Sequence, residues 1–359
     1  MSGLSEGTAR GQPALESGLP AGEVAVFEEE KMSPLRRLQH FLHAYPTMVP
    51  FIVLLIGVVI FAALVGSRFF QPFNLSLVLQ QVTIIGTLGI AQTLIILTAG
   101  IDLSVGAIMV LSSIVMGRLA VVSGVPVELS FPLGLLAGMA CGLLNGTLVT
   151  RFKLPPFIVT LGTWSIFGAL VLFYSRSETL RQQEVEAVAS FLQFTGTAIQ
   201  IGGARITFGS ILMILLAVLV WYVLNRTAFG RHVYATGDDI NAAGLAGINT
   251  SRTLLAVYTI AGLICALAGW VLIGRIGAVS PLAGQTANLD SITAVVIGGT
   301  SLFGGRGSIV GTLIGALIVG VFRNGLALAG LDALWQEFTV GVLIIVAVAL
   351  DQWIRRIAA

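Results

Sequence analysis

The sequence predicts an all-α polytopic membrane protein with about ten transmembrane helices, some of them short or discontinuous. Of its 359 residues, 56% are hydrophobic and only 10% are charged, whereas soluble domains have about 25% charged residues. The mean hydropathy is +0.96, and apolar runs close to the ~20 residues that a membrane-spanning helix needs recur along the chain. The lipid bilayer is therefore the expected surrounding, and the net charge of +2 gives no support to a nucleic-acid partner.

The chain opens with a hydrophilic segment, residues 1–45, that ends in a basic run. This segment has neither the apolar core nor the small-residue cleavage site of a signal peptide. We expect a disordered cytoplasmic tail here, then a transmembrane domain over residues 46–353 and a cytoplasmic C-terminus over residues 354–359.

Nine windows are long enough, or nearly long enough, to cross a bilayer as helices. They are residues 47–65, 82–98, 105–122, 131–148, 157–173, 211–224, 254–273, 309–326 and 338–349. A tenth stretch, residues 291–302, is too short alone and is rich in Gly and Thr, which predicts a short or broken span.

Charge bias orients these spans. With the tail inside, alternation places the basic residues Arg151, Lys153, Arg306 and Arg355 and the loop 226–253 on the cytoplasmic face. The opposite face receives Arg68, Glu128, Arg275, Asp332 and the long segment 175–207, whose charges balance. The positive-inside rule then predicts that both termini are cytoplasmic.

The loop 226–253 is the longest polar interruption in the second half of the chain. Gly237 is expected to break the preceding structure, Asp238 or Asp239 to cap a short helix over Ile240–Leu245, and Gly247 to end that helix. Such a helix on a basic loop is a surface for another protein. A solvated loop whose arginines obey the positive-inside rule explains the same residues, so both interpretations stay open.

Two breaks interrupt apolar sequence at corresponding places in the two halves. Residues 98–106 contain the acid Asp102, and residues 302–308 contain the base Arg306. Paired breaks of this kind are typical of discontinuous helices in transporters, although a tight loop between two ordinary spans would explain each one.

Within the spans, small residues indicate helix packing and polar residues indicate candidate functional positions. Gly134, Gly138 and Gly142 fall on one helix face, as do Gly311 and Gly315, which predicts close helix packing. Polar groups in lipid are costly unless paired and therefore mark candidate functional positions. They are Gln92, Thr93, Asp102, Arg118, Asn145, Thr160, Thr163, Trp164, Asp290, Thr293, Arg323 and Asn324. We assign Asp102, Asp290 and Arg306 structural or gating roles.

Motifs for enzymatic chemistry are missing from the sequence. The glycine-rich stretch 298–307 has an Arg and lacks the Lys of a phosphate-binding loop, and no metalloprotease or nucleophile-elbow motif occurs. We predict no catalytic residue and no metal site, and we interpret Cys141 and Cys265 as packing residues.

Four collinear motifs carry a resemblance to a known family. They are LTAGIDLSVGA (97–107), NGTLVTRFKLPPFIVTLGT (145–163), FGRHVYATGDDINAAGLAGI (229–248) and AVVIGGTSLFGGRGSIVGTLIGALIVG (294–320). From about Pro50 to Asp351 the chain resembles the permease subunits of bacterial ABC importers for monosaccharides, in the ribose, xylose and fructose branch.

The resemblance implies a division of labour. Such permeases are inner-membrane homodimers that bind a cytoplasmic ATPase, which holds ATP and Mg, and receive sugar from a periplasmic binding protein. The permease itself binds no cofactor and hydrolyses nothing. The segment 230–248 is similar to the one that couples to the ATPase, which implies coupling roles for Gly230, Gly237, Asp238, Asp239, Ala243 and Gly247.

A neutral sugar needs a path lined by amides and hydroxyls rather than by paired charges. We predict that Gln92, Asn145, Thr160, Thr163, Trp164 and Asn324 line it, with fructose, ribose or xylose as cargo. Two alternatives remain: a related ABC permease for a nucleoside or branched-chain amino acid, and an ion-coupled secondary transporter that would use Asp102 and Asp290.

Overall fold

The computed structural model describes residues 48–355, so the predicted tail over residues 1–45 lies outside the described residues, as do residues 356–359. The helices are α1 (Met48–Val65), α2 (Pro72–Leu97), α3 (Val105–Gly117), α4 (Val127–Thr150), α5 (Pro156–Ser175), α6 (Gln182–Ala189), α7 (Phe208–Arg226), α8 (Ala228–Asp238), α9 (Ile240–Leu245), α10 (Thr250–Ile276), α11 (Ala287–Ile297), α12 (Ile309–Leu328) and α13 (Ala333–Arg355). A π-helical turn, Arg118–Val122, extends α3. The strands β1 (Ala198–Ile201) and β2 (Ala204–Thr207) form an antiparallel hairpin.

The helices confirm the predicted all-α membrane class. Each of the nine predicted windows overlaps a helix, and within the described residues eight helices are long and apolar enough to cross a membrane. The stretch 291–302 is split, as expected for a broken span, because α11 ends at Ile297 and residues 298–308 are irregular.

Local sequence sets several helix starts. Pro72 and Pro156 occupy the first turn of α2 and α5, where a missing N–H leaves no bond unmade. Ser308 caps α12 by accepting a hydrogen bond from the Gly311 N–H at 3.0 Å.

The bundle has an inner and an outer layer. The most apolar windows of α2, α3 and α10 are 83%, 78% and 67% buried, whereas that of α1 is only 17% buried. The outer helices α1, α4, α5 and α7 expose Leu, Ile, Val and Phe side chains, which is the surface that lipid chains solvate.

Glycines allow the inner helices to approach closely. A Cβ added at Gly142 of α4 would collide with the Tyr258 carbonyl of α10, and one at Gly138 would lie 2.6 Å from Ala266 Cβ. At Gly315 of α12 it would collide with the Ala294 carbonyl of α11. The predicted packing faces are therefore confirmed.

The links between the helices lie at the two ends of the bundle. They are distributed between these ends as expected if successive spans alternate in direction. At one end Arg118 donates to the Ser175 carbonyl at 2.7 Å, and Leu180 pairs with Val279. Segment 175–207, expected as a loop, instead folds at this end into α6, a 3₁₀ segment and the β1–β2 hairpin. The other end holds α8, α9 and both sequence breaks.

Candidate functional site

The first break is an irregular segment inside the protein, residues 98–104, which we call the Asp102 segment. It links α2 to α3, and Thr98, Asp102 and Ser104 are 7%, 2% and 0% exposed. An irregular backbone at membrane depth is tolerated only where protein groups satisfy its polar atoms. The helices on both sides of this segment are each long enough to span a membrane, so a tight, buried loop between two spans accounts for it as well as a discontinuous helix does.

Side chains from four helices bind the backbone or the side chains of this segment. The Gln92 amide of α2, oriented with its nitrogen toward the Asp102 carbonyl, donates to that oxygen at 3.2 Å and accepts from the Asp102 N–H at 3.3 Å. Thr160 of α5 donates to the Ile101 carbonyl at 2.9 Å.

Asn288 of α11 donates to the Leu103 carbonyl at 3.2 Å, and Asn145 of α4 donates to the Ser104 hydroxyl at 2.9 Å. The segment is thus a junction of α2, α4, α5 and α11.

The Asp102 carboxylate organises the start of α3. Its Oδ1 accepts hydrogen bonds from the N–H and the hydroxyl of Ser104, both at 2.6 Å. The N-terminus of a helix also favours a nearby negative charge. The structural or gating role predicted for Asp102 stays a prediction.

The other two predicted structural or gating residues differ in their surroundings. Asp290 of α11 is 6% exposed and forms an ion pair with Arg323 of α12 at 2.7 Å. Arg323 also reaches Glu337 of α13 at 2.9 Å, so three helices meet at one guanidinium. Arg306 is exposed on the second break, residues 298–308, where its carbonyl accepts from the Ser301 N–H at 2.8 Å.

The loop 226–253 contains the short helix that its sequence predicts. The Asp239 carboxylate caps α9 by accepting from the N–H groups of Asn241 and Ala242 at 2.8 and 3.0 Å. Gly247 follows with φ +86°, a conformation that favours glycine. The expectation that Gly237 breaks the preceding structure is wrong, because α8 continues through Gly237 to Asp238.

Gly237 is required instead where α8 meets the end of α2 and the second break. A Cβ there would collide with the Leu97 carbonyl, at the end of α2, and would lie 2.8 Å from the Gly305 nitrogen. The same Leu97 carbonyl accepts a hydrogen bond from the Gly305 N–H at 3.0 Å. Gly230 lies equally close to the backbone of Leu224, where α7 meets α8.

Tyr234 adds a second link from α8. Its hydroxyl donates to the Gly307 carbonyl at 3.0 Å, and burial raises the pKa of this hydroxyl above its ordinary value. The donor therefore stays protonated at neutral pH. Through Tyr234 and Gly237, α8 contacts the second break and the last residue of α2, which directly precedes the first break.

Helix α9 presents an apolar surface outward. Leu245 is 92% exposed and Ile240 is 48% exposed, whereas Ala243 is buried on the inner side. Asp238 is exposed and lies beside Gly305. A role of α9 in binding a partner protein stays a prediction.

The predicted path residues lie in two kinds of place. Gln92, Asn145 and Thr160 hold the Asp102 segment, as described above, and Thr163 is 2% exposed. Asn324 exchanges two side-chain hydrogen bonds with Asn74, at 2.9 and 3.1 Å. Their roles along a path stay predictions.

Trp164, by contrast, is 42% exposed and lines a cavity of about 570 Å³ between α3, α5 and the link from α10 to α11. Sequence reasoning missed Asn74 and Asn288, although both are polar residues beside apolar runs and meet the criterion used for the others.

Comparison with known proteins decides the family. Residues 74–348 match the family described as the permease component of branched-chain amino acid transport systems. The chain belongs to this permease family. A transport-system permease of this kind is a multi-pass membrane subunit rather than a catalytic one, in agreement with the sequence analysis.

Relatives of the permease are named for sugars. The fructose import permease protein FrcC of Rhizobium meliloti is 59% identical over 94% of each chain. The ribose import permease protein RbsC of Bacillus subtilis is 40% identical over 90% of this chain and 98% of its own length. The xylose transport system permease protein XylH of Haemophilus influenzae is 34% identical over 81% of this chain and 92% of its own. No solved structure matches the chain.

Proposed function

We propose that the chain is the transmembrane permease subunit of an ATP-driven importer that carries a monosaccharide, with fructose as the first candidate, across the bacterial inner membrane. The observation that carries this proposal is the 59% identity, over 94% of each chain, to a permease named for fructose import. The 40% identical ribose permease supports the monosaccharide class more broadly.

The energy source in this proposal is a separate cytoplasmic ATPase, which would hold ATP and Mg, while this chain binds no cofactor. Its docking surface is α9, where Leu245 and Ile240 are exposed and Asp239 fixes the first turn. The cytoplasmic end is then the end with α8 and α9, and both termini are cytoplasmic. Gly230, Asp238 and Ala243 shape the same unit.

Force from the ATPase would pass through α8 to both breaks. Gly237 touches the Leu97 carbonyl and Gly305, and Tyr234 binds Gly307. Leu97 is the last residue of α2, directly before the Asp102 segment. A displacement of α8 is therefore applied to the segment that sets the start of α3.

The remaining partners complete the importer. A periplasmic sugar-binding protein would approach the end with the β1–β2 hairpin, and a second copy of the chain would form the other half of the path. Each partner comes from the family resemblance and is part of the proposal.

The test is uptake of radiolabelled sugars by cells that lack other fructose transporters and express this chain with the ATPase and binding protein that co-purify with it. We expect fructose uptake that persists when an uncoupler removes the proton gradient, stops when arsenate depletes ATP, and requires the ATPase. Ribose and xylose are tested in parallel. Uptake that needs no ATPase and collapses with the uncoupler would contradict the proposal in favour of ion coupling.

A further inference from the structure

The cavity beside Trp164 has the size of a small-molecule site and a definite position in the fold. Its volume of about 570 Å³ is within the ~300–1,000 Å³ usual for ligand pockets. The first turn of α3 forms one wall, the outer helix α5 forms another, and residues 281–286 with the first turn of α11 form a third. Its lining includes Trp164, Ser165, Gly168, Gln285, Thr286 and Asn288.

The lining chemistry suits a neutral polyol. Among the lining residues that the structure describes, none is charged, and the polar groups are two amides and two hydroxyls besides the Trp164 indole. Asn288 is 5% exposed, and its Nδ2 donates a hydrogen bond to the Leu103 carbonyl. Its Oδ1 accepts no hydrogen bond from residues 48–355. That oxygen is available to a hydroxyl of a bound molecule.

A second cavity nearby is less suited to such a ligand. It measures about 400 Å³ and contains the charged side chains of Arg275, Asp290 and Arg323. Two of these charges already bind each other at 2.7 Å. A neutral sugar there would compete with an ion pair, whereas in the Trp164 cavity it meets only amides, hydroxyls and apolar surface.

We propose that the Trp164 cavity is the site where a monosaccharide is held during its passage, with the indole against the apolar face of the ring and Asn288 and Gln285 on its hydroxyls. This inference rests on the proposed function. It also links cargo to energy input, because Asn288 contacts both the cavity and Leu103 of the Asp102 segment. The docking helix and the sugar thus act on the same segment.

Two glycines of α5 provide a matched test. A Cβ at Gly168 or at Gly162 would have no atom within 4 Å, so both positions accept a side chain without collision. Only Gly168 lines the cavity. Gly168→Leu fills the space where the sugar is held, and Gly162→Leu adds the same side chain to an exposed position on the same helix.

The measurement is initial fructose uptake by the full importer, with the amount of each variant in the membrane and its co-purifying ATPase quantified. We expect Gly168→Leu to reduce uptake at least about tenfold and Gly162→Leu to leave it within about twofold, with equal membrane levels and equal ATPase capture. Equal uptake by the two leucine variants would overturn the cavity proposal. If the wild-type importer moves no monosaccharide, the proposed function fails instead.

A thiol-labelling experiment tests directly whether the sugar occupies the cavity. Ser165→Cys, in a chain with Cys141→Ala and Cys265→Ala, is treated with a small thiol reagent in the assembled importer with and without fructose. We expect fructose to slow the labelling of Cys at this position and to leave a Gly162→Cys control unchanged. Equal rates at position 165 with and without transported sugar would also overturn the proposal.

Discussion

Gln92 illustrates how one polar side chain joins a regular helix to an irregular segment. It lies in the last two turns of α2, is fully buried, and pairs with both backbone groups of Asp102. An apolar residue there would leave two buried backbone groups without partners. Each such group costs about 1–3 kcal/mol in proteins, although in membrane proteins single hydrogen bonds average only ~0.6 kcal/mol.

We therefore predict that Gln92→Met lowers the stability of the detergent-purified chain by about 1–3 kcal/mol. Thermal unfolding followed by size-exclusion fluorescence measures the change. Gln80→Met on the same helix is the control, because the Gln80 side chain is half-buried and forms no hydrogen bond within residues 48–355. An equal shift in both variants would mean that the Asp102 contact contributes nothing.

Arg323 is a second residue whose role depends on its partners. Its side chain is 16% exposed and bridges buried Asp290 and the half-exposed Glu337. Breaking one side of a buried ion pair leaves an uncompensated charge, which is costlier than removing both partners.

The prediction is that Arg323→Met destabilises the chain by about 3 kcal/mol and that adding Asp290→Leu recovers most of this loss. Glu337→Gln should cost less than about 1 kcal/mol because its carboxylate is half-exposed. Unfolding measurements on these variants and on Asp290→Leu alone complete the cycle. Additive losses in the double variant would show that Asp290 and Arg323 are not coupled.

At the scale of elements, α9 depends on its cap. Six residues are too few for a helix that is stable by itself, so the Asp239 carboxylate and the packing of α8 must hold it. The cap accepts two backbone N–H groups that would otherwise lack partners.

Asp239→Ala should therefore destabilise α9 by about 1 kcal/mol and reduce the amount of ATPase that co-purifies with the chain. Asp239→Asn should retain most of the co-purifying ATPase, because Asn caps helices as well as Asp does. Pull-down of the ATPase with equal amounts of each tagged variant measures this. If Asp239→Asn captures as little ATPase as Asp239→Ala does, the partner recognises the negative charge of Asp239 rather than the capped helix.

Elements were easier to predict than the contacts between them. Apolar windows located the spans, and an acid before an Ala-rich stretch with Gly247 after it located α9 to the residue, because capping is a local property. The contacts of Gln92 with Asp102 and of Asn145 with Ser104 were not predictable. A polar residue in a span must find a partner, but its own sequence does not say which helix supplies one. Segment 175–207 lacks long apolar periodicity, so its hairpin was missed too.

At the scale of the whole molecule, the two ends and the interior form one chain of contacts. Helix α9 lies at one end, α8 touches the second break and the end of α2 beside the first break, and the Asp102 segment reaches Asn288 and the Trp164 cavity. The β1–β2 hairpin and α6 lie at the other end. This arrangement is useful for import only if the α9 end faces the cytoplasm, where ATP is available.

We predict that orientation from the positive-inside rule. Gln200→Cys in β1 and Asn241→Cys in α9, both exposed positions, are introduced separately into a chain without Cys141 and Cys265. Cells that make the chain without its ATPase are treated with a membrane-impermeant maleimide. The outer membrane is made permeable first, so that the reagent reaches the periplasm.

The thiol at position 200 should react in such cells, and the thiol at position 241 should react only after the inner membrane is opened. The reverse pattern would place α9 in the periplasm, and with it the docking surface on the side where no ATPase can reach it.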